Sequence, residues 1–170
     1  NIVKYRNNKE ITHTADLVKI IEKIKKKLFF NKINPCTKTF QALRIFVNKE
    51  ITELINGVIK ATKKLKPGGK IIVISFHSLE DKIIKYFFTN FSKNRSKSSR
   101  YIPESELIDS SLFDDYRNRV FRPSVEEVNL NNRSRSAKLR FAIRSKNKFE
   151  YPKNLIKKFK KYLDLEAINV

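Results

Sequence analysis

The sequence predicts an α/β fold of which this chain carries only part of the sheet. Three observations support this. The stretch KIIVISF, residues 70–76, is apolar at nearly every position, as in a strand of a parallel sheet covered by helices on both faces. Stretches with apolar residues at steps of three and four lie on either side of it, the spacing of amphipathic helices. SAKLRFAIR, residues 136–144, alternates as a second strand would. A covered parallel strand needs parallel neighbours. The chain offers one good candidate, so the first half of the sheet is expected outside it. There is no methionine, including at position 1, which agrees with a fragment or a processed chain.

The elements follow in order. Thr14 reads as an N-cap with Asp16 in the first turn. Leu17, Ile20, Ile21, Ile24 and Leu28 then recur at helical spacing over 15–28. Pro35 disfavours helix at Asn34. One long helix is predicted over about 38–65, with Phe40, Leu43, Val47, Ile51, Leu54, Val58 and Leu65 on one stripe. Lys66-Pro67-Gly68-Gly69 ends it with a basic last turn, proline and glycine. After the strand, Ser78-Leu79-Glu80-Asp81 resembles a capping box with Ser78 as the cap. That helix is expected to run to about Phe91, with Ile83, Ile84, Phe87 and Phe88 inward. Residues 92–119 read as a solvated loop. RVFRPSVEEVNL, 119–130, reads as a short strand with Pro123 at an edge or an end. In the last strand Ala137, Leu139, Phe141 and Ile143 share one face. Lys138, Arg140 and Arg144 share the other, read as a solvated side. A final amphipathic helix is expected over about 153–164, with Leu155, Ile156, Phe159, Tyr162 and Leu163 on its apolar side. There is no internal repeat.

At 170 residues the chain is long enough for a real core. Its 38 Lys and Arg against 17 Asp and Glu give a net charge of +21, and such a surface attracts polyanions, nucleic acid first. The competing explanation is compositional drift in a chain rich in Lys, Asn and Ile. Cys36 is the one cysteine and His13 and His77 lie far apart, so there is neither a disulfide framework nor a metal-ligand spacing. No apolar run reaches the roughly 18 residues of a membrane span, and no signal peptide is evident. A cytoplasmic protein is expected.

TKTFQALRIFVNKEI, LKPGGKIIVISFHSLEDKIIKYFF and RPSVEEVNLNNRSRSAKLR together resemble the C-terminal part of the bacterial 16S rRNA (cytosine-N4) methyltransferase family. IVKYRNNKEITHTADLVKII, further upstream, is similar to that family as well. ISFHSLED with RSAKLR is the specific part, whereas LKPGG is common to many methyltransferases. Asn132 stands where the family usually has proline. The resemblance spans about 2–144 and leaves 145–170 without a counterpart. It implies the C-terminal part of a class I, Rossmann-like sheet with part of an inserted helical domain. Residues 1–36 would belong to the insertion, 37–144 to the methyltransferase domain and 145–170 to a basic tail with a helix. It implies S-adenosylmethionine as cofactor and 16S rRNA of the small ribosomal subunit as partner. The family's glycine-rich cofactor loop, acidic ribose partner and main catalytic segment would lie upstream of this stretch. Gly68-Gly69 is no substitute, because a cofactor loop follows a strand and opens a helix.

Ligands of open α/β sheets bind beyond the C-terminal ends of the strands. The strand at 71–76 therefore delivers His77 and Ser78 to the site face. TKTFQ and NRSRS are expected at the same edge. The candidate RNA-binding residues are Lys38, Gln41, Arg44, His77, Arg133 and Arg135, and the weak catalytic candidates are His77 and Ser78. Each has a plainer reading. His77 could be a turn residue, Gln41 a helix cap, and Glu80 and Asp81 helix-start acids. For the whole chain, the alternative is a basic RNA-binding or ribosome-associated module without catalysis.

Overall fold

The computed structural model describes residues 1–24, 34–93, 111–114 and 116–168. The expected helix end at 25–28, with Leu28, and most of the 92–119 loop lie outside the described residues. The chain divides into two compact units, Asn1–Glu50 and Ile51–Val170.

The first unit contains α1 (Ile2–Arg6), α2 (Thr14–Ile24) and α3 (Thr37–Val47). The predicted second helix is broken. α3 closes at Asn48, whose N–H still reaches the Arg44 carbonyl at 3.0 Å. Lys49 then takes a φ of 50°, the left-handed region that interrupts a helix. α4 (Glu50–Lys64) begins at once. Val47 and Ile51 are four residues apart, so the break leaves the apolar spacing undisturbed and the sequence pattern conceals it. The stripe is not continuous in burial: Val47 is 72% exposed and Ile51 is 0% exposed.

In the second unit, α4 buries Ile51, Ile55, Val58 and Ile59. The turn after it is built as expected: Gly68 takes a φ of 79°, which glycine adopts without a side-chain clash. Its N–H donates to the Arg144 carbonyl at 2.8 Å. Then come β1 (Lys70–Ser75) and α5 (Ser78–Asn90). The stretch read as a short strand is instead a helix, α6 (Val125–Leu130), with Ser124 as its N-cap accepting from the Glu127 N–H at 3.2 Å. Of the predicted strand only a single bridge from Phe121 to Leu139 survives. Ser-Val-Glu-Glu is a helix start, and that signal outweighs the β-branched residues around it. β2 (Lys138–Ile143) and α7 (Lys153–Glu166) complete the unit.

β1 and β2 pair antiparallel in the register Ile72↔Phe141 and Ile74↔Leu139, so the expected pairing is present. The far edge of β2 is also engaged, by Phe121 at Leu139 and by the Asp114 N–H at the Ile143 carbonyl. The two faces of this sheet differ from expectation. α5 covers the face carrying Ile71, Ser75, Arg140 and Ala142, all buried. The other face is bare: Ile72 is 59% exposed, Ile74 56% and Phe76 55%. A strand expected to be covered on both sides is covered on one, because the described chain supplies a helical layer to one face only. Lys138 and Arg140 point toward that layer, not to solvent. The basic side of β2 is its inner side, since an acid from α5 waits there.

The core lies behind α5. Phe113 meets Phe87 and Phe88 edge-on, each at 5.2 Å between ring centres. Phe159 of α7 meets Tyr86 at 5.5 Å, so the C-terminal helix packs on α5. The Glu166 carboxylate, at the end of α7, accepts from the N–H groups of Ile51 at 3.0 Å and Thr52 at 2.8 Å. Lys49 cannot cap α4, having no side-chain acceptor. Glu166 satisfies those N–H groups from the far end of the sequence.

Candidate functional site

β1 leaves the sheet at Phe76 and enters α5 through His77. The N-cap is His77, one residue before the predicted Ser78. Its Nδ1 accepts from the Glu80 N–H at 3.4 Å. Glu80 Oε2 accepts in return from the N–H groups of Phe76 at 2.9 Å and His77 at 3.3 Å. This reciprocal pair is a capping box with histidine in the place of serine. It places the ring proton on Nε2, 3.3 Å from Glu80 Oε1. The imidazole is thus occupied in holding the junction, with its side chain 8% exposed. Ser78 is the first helical residue and is exposed.

Facing this junction is a 3₁₀ turn, Asn132–Ser136. Asn131 Oδ1 accepts from the Arg133 N–H at 3.1 Å, and the buried Ser134 hydroxyl donates to the Asn131 carbonyl at 2.8 Å. Arg133 and Arg135 are left exposed. Arg135 Nη1 donates to Asn132 Oδ1 at 3.2 Å, so Asn132 orients an arginine as well as shaping the turn. Phe76, Asn132, Arg133, Arg135 and Ser136 line one pocket of about 270 Å³. The expected meeting of the strand end with NRSRS is therefore present. Lys38, Gln41 and Arg44 stand on α3 in the first unit. Lys38 is exposed and Gln41 half-buried. Arg44 forms a two-pronged ion pair with Glu50, at 2.7 and 3.1 Å.

Sequence reasoning missed two features. The first is Phe76, assigned to a buried strand. An aromatic on the last, outward position of a strand, before a polar helix start, was the available signal. The second is a buried charge cluster beneath the rim. Asp81 of α5 accepts from Arg140 Nε at 2.7 Å and Lys138 Nζ at 3.1 Å. Arg140 Nη1 donates onward to the Tyr116 hydroxyl and Asn118 Oδ1, each at 3.0 Å. Burial pushes the Asp81 carboxyl up. Hydrogen bonds from Arg140 and Lys138, with their charges, together outweigh that and hold it below its ordinary value. HSLED and RSAKLR, far apart in sequence, are thereby bolted together.

Among the described residues no glycine loop follows a strand and opens a helix. Gly69 packs against Leu65, Gly68 makes the turn, and the β1–α5 junction is Phe76-His77-Ser78. The described residues around these glycines do not fit a glycine-loop cradle for a dinucleotide or for the ribose and amino-acid ends of S-adenosylmethionine. No helix among the described residues is long and apolar enough to cross a membrane.

A strand end faced by two exposed arginines on an α/β unit is a rim suited to a polyanionic substrate. Comparison with known proteins gives the family. The MraW methylase family model matches residues 1–145, and the chain belongs to that family. It is 43% identical over 139 residues to ribosomal RNA small subunit methyltransferase H of Ehrlichia canis, a match covering 82% of the chain and 44% of the relative. The protein of the same name from Bartonella quintana is 43% identical over 144 residues, covering 85% and 43%. That from Agrobacterium fabrum is 41% identical over 144 residues, covering 85% and 42%. The chain thus spans less than half the length of these curated relatives.

Proposed function

We propose that this chain is the RNA-facing C-terminal part of an S-adenosylmethionine-dependent enzyme that methylates the N4 amine of a cytosine in 16S rRNA. The relatives' name supports the reaction class, and the comparisons do not favour a non-catalytic module. The exocyclic nitrogen is a poor nucleophile because its lone pair is delocalised into the ring. Holding it in line is therefore the main demand on the protein, and the base must be splayed out to be reached. In this reading Arg133 and Arg135 bind backbone phosphates, and Phe76 offers a face on which a base can stack. His77 and Glu80 keep the junction rigid beneath them, and the Ser78 hydroxyl faces the substrate. Lys38, Gln41 and Arg44 add contacts along α3. The observation that carries the reading is the shared pocket of Phe76 with both arginines.

The test is RNA affinity at several salt concentrations. Arg133→Glu with Arg135→Glu should weaken binding far more than Lys157→Glu with Lys161→Glu on α7. The rim pair should lower the salt slope by about 1.4, at roughly 0.7 per phosphate contact on single-stranded RNA. Equal losses for both pairs would reduce the rim to general surface charge.

A further inference from the structure

We propose that Arg117, Arg119 and Phe121, at the outer edge of the sheet, form a second contact site for single-stranded RNA. The proposal rests on the RNA reading above for the class of ligand and extends it beyond the rim.

Arginine is scarce in this chain. Eleven of the 38 Lys and Arg residues are arginines, as drift toward lysine would leave them. Seven of those eleven fall within residues 117–144, where Lys138 is the one lysine. Drift gives no reason for arginine to persist in that stretch. Arg140 and Arg144 are buried and hold the fold together. Arg117, Arg119, Arg122, Arg133 and Arg135 are exposed. Among the described residues none of these five has an acidic partner. A guanidinium grips a phosphate with two parallel hydrogen bonds, which an ammonium cannot do.

The sheet edge sets them in line. Residues 116–121 run antiparallel to β2, and Phe121 and Leu139 exchange N–H to carbonyl bonds at 3.0 and 2.9 Å. NRSRS leads directly into β2, so Arg122 stands at the rim end of this edge and Arg117 farther along. Five extended residues reach at most about 18 Å, a span for a few nucleotides of an extended strand. Arg140 Nη1 donates to the Tyr116 hydroxyl and to Asn118 Oδ1 on the inner side. Alternation therefore turns Arg117 and Arg119 outward. They line one hollow of about 270 Å³ with Phe121, which is 49% exposed. The rim pocket has the same make-up, Phe76 with Arg133 and Arg135. An aromatic face beside two cations suits a stacked base and its backbone. Both pairs hang from one buried carboxylate. Asp81 holds Arg140, which fixes Tyr116 and Asn118, and Lys138, two residues beyond NRSRS. An acidic protein partner would be met as well by lysine, so the choice of arginine favours nucleic acid.

The experiment measures the chain's affinity for single-stranded RNA of about 4 and about 14 nucleotides, near the limits of single-strand sites, at several salt concentrations. Arg117→Gln with Arg119→Gln should leave the short RNA bound as before. The longer RNA should lose about 1.4 from its salt slope, at roughly 0.7 per phosphate contact. Arg117→Lys with Arg119→Lys should keep that slope and still weaken the longer RNA severalfold. Phe121→Leu should weaken it about fivefold, the low end of one lost stack, with the slope unchanged. These side chains are exposed, so every variant should melt within a few degrees of the parent. Full binding by the lysine variant would overturn the proposal. So would an equal loss from Lys157→Gln with Lys161→Gln on α7, or equal losses on both RNA lengths. Displacement of the longer RNA by polyglutamate at equal charge would identify an acidic protein instead and overturn it as well. If Arg133→Glu with Arg135→Glu left both RNAs bound while the Arg117 and Arg119 substitutions released the longer one, the second site would stand and the rim reading would fall.

Discussion

Asp81 shows how much one side chain carries. It sits in the first turn of α5, where an acid is favourable to the helix dipole, and a sequence reading stops there. In the structure it is 9% exposed and holds Arg140 and Lys138. Asp81→Asn should cost about 3 kcal/mol in unfolding free energy at neutral pH, the scale of breaking a buried pair by removing one partner. The sign with pH is fixed by the direction of the shift. The folded carboxyl lies below its ordinary value of 3.8, so its contribution is complete above that value and is lost as pH falls through the folded value. Denaturant unfolding of both proteins across the acid range should therefore show the gap closing at low pH. A gap unchanged down to full protonation would mean that the pair contributes nothing electrostatic.

At the scale of elements, helix starts decide most outcomes. β1 and α5 were legible because an apolar run followed by acids is a local pattern, although the cap fell on His77 one residue early. α6 falls within the stretch read as a short strand, although Ser124 and Glu127 already spelled a helix cap. α4 could not have been read correctly from its neighbours, since its N-terminus is satisfied by Glu166. An acid in the last turn of α7 opposes that helix's own dipole, and the N-terminus of α4 is the reason it is there. Glu166→Ala should cost about 1–2 kcal/mol by stranding the Ile51 and Thr52 N–H groups. Native-state hydrogen exchange should show the loss first at the start of α4. If α4 were unaffected and only the end of α7 loosened, the long-range cap would be of no energetic consequence.

For the molecule as a whole, the family, the antiparallel pairing and the meeting of NRSRS with the C-terminal end of β1 were readable. Phe76 and the Asp81 cluster were not seen. The absence of a glycine cradle among the described residues predicts no saturable heat when this chain is titrated with S-adenosylmethionine. A micromolar, stoichiometric calorimetric site would overturn that. The sequence by itself determined the periodic helices, the Pro-Gly-Gly turn, the strand-to-helix junction and the two motifs that mark the family. Those depend on residues within a few positions of one another, where spacing and turn chemistry suffice. Only the tertiary structure decided which side of β2 faces inward, what caps α4, and that HSLED and RSAKLR are joined by a buried ion pair. Each of these turns on a partner between 57 and 115 residues away. An alternating strand looks the same from either face until that partner, here Asp81, gives the buried arginine a charge to meet.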